Sequence, residues 1–507
     1  MALGSAVAAC GGSGEDSSPS PTSTSGGTPT QGGTLRVGVV GGSTKETLDG
    51  QVGTTEPEIA CYFQLYDALM GFDQDYQLVN LIAEEVTPNA DASKWTVRVR
   101  QDAVFHDGRS VSADDVIFSY KRIIDPKAPK AGAATLSDLP ASGIRKVDAR
   151  TVEFNLSSPN AVFSEAIADY LNTILPVGYD PSKPIGTGPF KLTDFRPGEQ
   201  ITFARNPDYF GQVPAVDDLI IIEFADAAAR VNALLGDTVD AISQVPSAQV
   251  GVIDGSGTAK VLDAQTGAWQ PITMRIDQKP FDDVRVRQAF RLMADREAMI
   301  AQAYAGFGAV ANDMYAPFDP GYPKDLPQRA QDLEQAKSLL KQAGYDGNLV
   351  VTLTTSDDIG SGAVAAAQVF AEQAKGAGVN VKVDKVGSGV FYGDNYLKWT
   401  FAQDFWYTRN YLLQTGRGSQ PTAPWNETHW KNDQWLALVK EATRTADDTK
   451  RNDLVAQAMQ IEYEQGGYLI WSFNDQIDAY STKLGGVIPD KFGAPLSSWH
   501  LNRFYFV

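Results

Sequence analysis

Three consecutive stretches near residue 350 limit the fold most. Residues 349–354 (Leu-Val-Val-Thr-Leu-Thr) and 379–383 (Val-Asn-Val-Lys-Val) read as strands, and residues 363–375 between them read as a helix rich in alanine. A helix joining two such strands makes a β-α-β unit, so the strands are expected to be parallel with a right-handed crossover. This places the region in the α/β class. Just upstream, Leu333, Ala336, Leu340 and Ala343 share one side of another helix, which stops at Gly344. The 507 residues, 43% of them apolar, suffice for about three cores of ~150 residues each.

The rest of the chain supplies the same kinds of element. Residues 34–40 form a short β-branched run, hence a strand. Alternation through residues 95–100 puts Trp95, Val97 and Val99 on one face. Ser112 is a suitable N-cap and Asp115 completes a capping box; Val116, Tyr120 and Ile123 then share a helical face. Residues 219–224 read as a buried strand and 228–235 as a short helix ending at Gly236. Asp282 and Asp283 put negative charge at a helix N-terminus, where the macrodipole favours it, and Val286, Phe290 and Met293 line the buried side. Residues 468–473 read as one apolar strand. No repeat with a period of ~20–50 residues is present.

The formal charge is −19. Phosphate binding needs clustered Lys and Arg, and no basic block occurs, so nucleic acid is not expected as a partner. After the first residues no apolar run approaches the ~20 residues that span a bilayer.

The N-terminus carries its own signal. Ala6-Val7-Ala8-Ala9-Cys10 resembles a bacterial lipobox, in which cleavage leaves the cysteine as a lipidated N-terminus. No Lys or Arg precedes Arg36 and only nine residues precede Cys10, so residues 1–10 are read as a truncated signal. From Gly11 to Gly33 every residue but Glu15, Asp16 and Gln31 is Gly, Ser, Thr or Pro. Such a segment buries too little apolar area to offset its chain entropy and is expected to be a disordered tether. With Cys10 acylated, Cys61 is left beside Tyr62, Phe63 and Leu65 as a buried apolar thiol.

Two longer motifs carry a family resemblance. Pro184-Ile185-Gly186-Thr187-Gly188-Pro189-Phe190, followed by Arg205-Asn206-Pro207-Asp208-Tyr209-Phe210, resembles the signature of the family 5 extracellular solute-binding proteins. These are capture subunits of ABC importers for peptides, nickel complexes, opines and related solutes. Residues 81–124 are similar to the family's longest shared region, and residues 281–290 to another; the likeness runs from about Gly33 to the end and is weakest over 385–430. It implies a bilobal periplasmic-binding-protein-like (Venus flytrap) fold of the α/β class with an extra subdomain in the first lobe. Lobe I would comprise 34–60, 178–268 and 482–507, with 61–177 inserted as the subdomain, and lobe II would be 269–481. Gly186 and Gly188 would serve backbone conformation, since glycine tolerates positive φ.

No chemistry on the ligand is expected. There is no G-x-S-x-G elbow, H-E-x-x-H helix, C-x-x-C pair or Walker loop. His106, His429 and His500 lie far apart, and His106 reads as a turn histidine bonded to backbone. Carboxylate pairs among 62 acidic residues leave a secreted hydrolase as the alternative of another class, and a purely sensory receptor as a third. The resemblance implies no catalytic residue, no metal and no cofactor.

A capture protein needs apolar walls and a few placed polar groups. Aromatic density peaks over residues 391–411, so Tyr392, Trp406, Tyr407 and Tyr411 are taken as ligand-binding candidates together with Trp425 and, before the expected lobe crossover, Trp269. Core packing is the competing role for each. In peptide-binding relatives a "W-x-x-D" element pairs its aspartate with the peptide ammonium; Trp406-Tyr407-Thr408-Arg409 falls there, with Arg409 in the aspartate's place. A guanidinium prefers a carboxylate or phosphate, so the ligand either presents an anion or is a peptide held differently. Asp404 is the alternative anchor if the register shifts. The expected partners are a peptide or small-molecule ligand, ABC permease subunits with separate ATPases, and the membrane through the lipid anchor only. The protein is expected to be a monomer at the outer face of the plasma membrane or in the periplasmic space.

Overall fold

The computed structural model describes residues 28–507 apart from 43, 54, 357–358 and 388–389. Cys10, the lipobox and residues 11–27 of the expected tether lie outside the described residues. The last residues of the segment expected to be a disordered tether are instead held on the body: Thr30 bridges to Phe506, and the Gly32 amide donates to the Ala215 carbonyl.

The first lobe is built on an eight-stranded sheet ordered Ala259–Trp269, Ser472–Ser481, Ala241–Ile242, Thr34–Val40, Asp218–Phe224, Gln200–Arg205 and Phe190–Arg196, with Ala309–Val310 also paired to Ser472–Ser481. Thr34–Val40 runs parallel to Asp218–Phe224, Leu35 facing Leu219 and Val37 facing Ile221. The alternation places Leu35, Val37, Val39, Leu219 and Ile221 in one core with Cys61, Tyr62 and Leu65 of the helix Glu56–Leu65. Cys61 is a buried free thiol there, as expected.

A separate four-stranded antiparallel sheet, Ala83–Pro88, Lys94–Val99, Thr151–Asn155 and Ile144–Lys146, forms the extra subdomain. Trp95, Val97 and Val99 point into its core, against Val116, Tyr120 and Ile123 of the helix Ala113–Ile123. The capping box is formed: the Ser112 amide donates to Asp115 at 2.9 Å. His106 joins this subdomain to the glycine signature. Its Nε2 contacts the Gly188 carbonyl at 3.1 Å and its Nδ1 accepts from the Gly186 amide at 3.3 Å. Burial pushes its pKa down to about 4, so the ring is neutral.

The two signature glycines have a different cause from the one expected. Neither has positive φ. A Cβ on Gly186 would lie 1.8 Å from the Leu65 carbonyl oxygen, and one on Gly188 2.3 Å from that of Gln64. They permit close backbone approach to the end of the helix Glu56–Leu65.

The second lobe carries a five-stranded sheet ordered Val379–Lys385, Leu349–Thr355, Phe401–Gln403, Ile272–Met274 and Tyr468–Leu469. The β-α-β unit is present. Leu349–Thr355 and Val379–Lys385 are parallel, and Ala366, Ala367, Phe370 and Ala374 of the helix Ala363–Lys375 pack on Leu349, Val351 and Leu353. The helix Val284–Met293 begins at Asp283, whose side chain accepts from the Arg285 amide, and buries Val286, Phe290 and Met293.

The stretch 468–473 departs from expectation. It is broken into Tyr468–Leu469, in the second sheet, and Ser472–Ser481, in the first. Ile470 and Trp471 are where the chain changes sheet. The other crossing lies beside it: Ala259–Trp269 in the first sheet leads through Gln270 and Pro271 to Ile272–Met274 in the second. Trp269 faces Phe473 and Ile272 faces Leu469, so the two crossings run antiparallel as a double connection between the lobes.

Candidate functional site

Where the segment after Phe401–Gln403 meets the first lobe, it encloses a cavity of about 120 Å³. Most of the wall comes from the first lobe: Tyr62, Phe63 and Tyr66 at the end of the helix Glu56–Leu65, then Phe72 and Tyr76, then Tyr170. Phe72 and Tyr76 stack at 4.3 Å with rings 2° apart, and Tyr76 continues onto Phe492 at 6.2 Å. Phe63 stacks on Tyr170 at 5.9 Å and meets the edge of His500. These rings interlock and make a rigid apolar surface. Burial pushes the His500 pKa down to about 3, so it is uncharged. Arg409 and Leu413 are the second lobe's contribution to the lining.

The segment around Arg409 is held on both sides. On the second-lobe side, Trp406 exchanges two backbone hydrogen bonds with Trp269, each 2.9 Å. The Tyr411 amide donates to Asp319 at 2.8 Å, and its hydroxyl donates to Glu462 at 2.8 Å. On the first-lobe side, the Tyr76 hydroxyl donates to the Thr408 carbonyl at 3.0 Å, Asn410 Nδ2 donates to Glu165 at 3.0 Å, and Arg417 pairs with Asp169 at 2.6 Å. Arg417 and Asp169 are both nearly buried, at 11% and 9% side-chain exposure, so this is an ion pair spanning the lobes out of solvent. The lobes are therefore in contact around the cavity.

Arg409 is the exception among these tethered groups. Among the described residues its guanidinium has no hydrogen bond and no ion pair. Burial first, and the like charge of Arg417 second, push its pKa down to about 10. It remains cationic at neutral pH. Asp169 is its nearest anionic influence, but that carboxylate is engaged by Arg417. Asp169 thus acts on two guanidiniums, and Arg409 is the one that it does not pair with. That arrangement suits an anionic group, because a guanidinium offers paired donors to carboxylate or phosphate.

Two acids of the lining are pushed towards neutrality. Burial raises Asp67 to about 6, although Thr187 and Tyr209 donate to it at 2.7 and 3.0 Å. Burial raises Glu165 to about 7.

The other expected binding residues sit outside this lining. Trp269, at 1% exposure, and Tyr411, at 0%, are core residues; Trp269 stacks on Tyr315 at 5.1 Å and on Trp406 at 6.1 Å. Trp425 packs edge-on to Trp406 and lies under the Arg417 guanidinium at 5.9 Å. Tyr407 is exposed. Tyr392 donates to Asp404 at 2.8 Å. Asp404, the alternative anchor, is 3% exposed; it also accepts from Tyr396 and from the Phe405 amide and lines a different, smaller void. Arg409 is the residue that reaches the cavity, and the expected aromatics near it brace the segment that carries it.

Sequence reasoning missed the first-lobe wall: Phe63, Tyr66, Phe72, Tyr76, Glu165 and Tyr170. A second aromatic concentration over residues 62–76 was the available signal.

The description bacterial extracellular solute-binding proteins, family 5 Middle, matches residues 77–411. The chain belongs to this family. Family 5 proteins are non-enzymatic substrate-binding proteins of ABC importers, acting outside the cytoplasmic membrane. Di/tripeptide-binding protein 2 of Pseudomonas aeruginosa (strain UCBPP-PA14) is 26% identical over 459 residues, covering 83% of this chain and 86% of that one. The periplasmic binding protein DppA from Helicobacter pylori, solved with the peptide STSA, is 21% identical with a TM-score of 0.79, covering 94% of this chain and 98% of its own. AgaA from A. tumefaciens R10, solved with agropinic acid, is 24% identical with a TM-score of 0.78, covering 94% and 99%. The bilobal α/β periplasmic-binding-protein fold is shared with these structures. Among the described residues no helix is long and apolar enough to cross a membrane.

Proposed function

We propose that this family 5 protein closes its two lobes on a small solute, a peptide or a related molecule, whose anionic group is held by Arg409. The unpaired guanidinium in an interlobe cavity carries this reading. Closure excludes water and strengthens the charged contact, so the ligand favours the closed over the open state. A cavity of about 120 Å³ favours a compact ligand over a long oligopeptide. Lobe I would comprise 34–60, 178–268 and 482–507 with the subdomain 61–177, and lobe II 269–481. The closed monomer, held at the membrane by lipid on Cys10 and the tether, would deliver its solute to permease subunits driven by separate ATPases.

A second reading is a non-peptide anionic solute, opine-like or a simple carboxylate. Arg409 in the place of the "W-x-x-D" aspartate favours it, and a structural relative is described with agropinic acid. Tandem mass spectrometry of ligand copurified with the protein separates the two. A charge-assisted hydrogen bond is worth ~1.5–3 kcal/mol, so Arg409→Ala is expected to weaken binding of that ligand at least about tenfold with nearly unchanged melting temperature. Unchanged affinity removes Arg409 from the site.

A further inference from the structure

We infer that the cavity receives a compact apolar monocarboxylate, an aryl- or alkylcarboxylic acid that carries no amine. Its carboxylate sits on Arg409 and its ring or chain lies among the first-lobe walls. The inference rests on the anion role proposed for Arg409 and narrows the ligand class of that same site.

The first observation is where the cavity lies. Arg409 and Leu413 are its only lining residues from 269–481. The other walls come from residues 61–177, with Phe63, Met70 and Leu81 among them, and from later first-lobe segments that supply Pro189 and Phe492. The apolar walls thus belong to one lobe, and the guanidinium comes from the other.

The second observation is that the polar groups of these walls are already engaged. Each of the four lining acids accepts a hydrogen bond from protein: Asp67 from Thr187 and Tyr209, Glu165 from Asn410, Asp169 from Arg417, and Asp490 from the Phe492 amide. The second Glu165 oxygen has no donor, but it is buried and presents essentially no surface to the cavity. The Tyr76 hydroxyl donates to the Thr408 carbonyl and the Tyr66 hydroxyl to that of Leu48. His500 is neutral and meets Phe63 edge-on. Among the described residues of the lining, Arg409 is the one charged group without a protein partner.

A bound molecule has to match that inventory. An ammonium finds no free carboxylate and is repelled by the Arg409 guanidinium. A peptide group gives up its hydration for walls that are mostly rings and aliphatic groups, which costs free energy. A single carboxylate instead meets the paired donors of a guanidinium. Arg409 acts electrostatically on Tyr76 and Tyr170, so the anion seat adjoins the ring-lined wall. There the Phe72–Tyr76 and Phe63–Tyr170 stacks offer faces and edges to an apolar body. An apolar cavity of ~150 Å³ holds a benzene ring, so about 120 Å³ suits one small ring or a short branched chain.

The test is isothermal titration calorimetry on the full folded protein with five probes. Two are apolar acids, 3-phenylpropionate and 4-methylpentanoate. The others each change one feature: 3-phenylpropanamide removes the charge, phenylalanine adds an ammonium, and lactate removes the apolar body. The wild type is expected to bind at least one apolar acid about tenfold or more tighter than each of these three. Arg409→Ala should bring that acid down to the level of the amide. Leu81→Ala should weaken it about tenfold, because an apolar contact is lost. Phenylalanine or lactate binding as tightly as 3-phenylpropionate overturns the inference and leaves anion capture standing. The amide binding as tightly as the acid ends both readings. No binding of either acid, or unchanged affinity in Leu81→Ala, overturns the inference. If Leu81→Ala fails to fold, the wild-type series decides.

Discussion

Arg417 is expected to protect Arg409 by occupying Asp169. Arg417→Ala frees that carboxylate, which is buried and already acts electrostatically on Arg409. Opposite charges ~4 Å apart interact by ~4 kcal/mol at an effective dielectric constant of ~20. Competition with hydration reduces this to the ~1.5–3 kcal/mol of a charge-assisted hydrogen bond. Ligand affinity should therefore fall roughly 10- to 150-fold. Arg417→Ala also removes an ion pair between the lobes, which alone would weaken closure. The double variant Arg417→Ala/Asp169→Ala separates the two effects, because both variants lack the ion pair but only the single one leaves a free carboxylate. Calorimetry with the copurified ligand should show the double variant binding at least about tenfold tighter than the single variant. Equal affinities for the two variants, or wild-type affinity in Arg417→Ala, would refute the argument that Asp169 is held away from Arg409.

Two further outcomes concern the scaffold. Gly186→Ala places a Cβ against the Leu65 carbonyl and should destabilise the fold by about 3 kcal/mol, the upper range for overpacking, measured by chemical denaturation. Asp475 lies on the strand Ser472–Ser481 that passes between the lobes; burial first and Asp263 second raise its pKa to about 7. The stability it contributes is fully present below its unfolded value near 4 and is lost progressively as pH rises from there through about 7, so Asp475→Asn should raise the melting temperature most at pH ~8, less at pH ~5, and leave it unchanged near pH ~3.

What could be read from the sequence follows from how local each signal is. The β-α-β unit over 349–383, the one-sided burial of Trp95, Val97 and Val99, and the Ser112–Asp115 box each depend on neighbours within a few residues, and all are present. The backbone-bound turn role of His106 is also found. Residues 468–473 misled because an apolar run reads alike whether it stays in one sheet or passes between two. Of the expected binding residues, one lines the cavity. Arg409 stood out by the chemistry of its position, and it lines the cavity. Aromatic density did not distinguish walls from braces. Trp269 and Tyr411 are as aromatic as Phe72 and Tyr76, and which of them meets the cavity is set by long-range docking of the lobes. Glu165 lines the cavity and bonds Asn410 from a helix 245 residues earlier in the chain, a proximity no local pattern encodes.

The most direct test of solute capture at Arg409 is a crystal structure of the protein with its copurified ligand. The account predicts a small molecule in the interlobe cavity with an anionic group at ~2.7–2.9 Å from the Arg409 guanidinium, the distance of a charge-assisted hydrogen bond. A ligand seated elsewhere, with that guanidinium still unpaired beside it, contradicts the account.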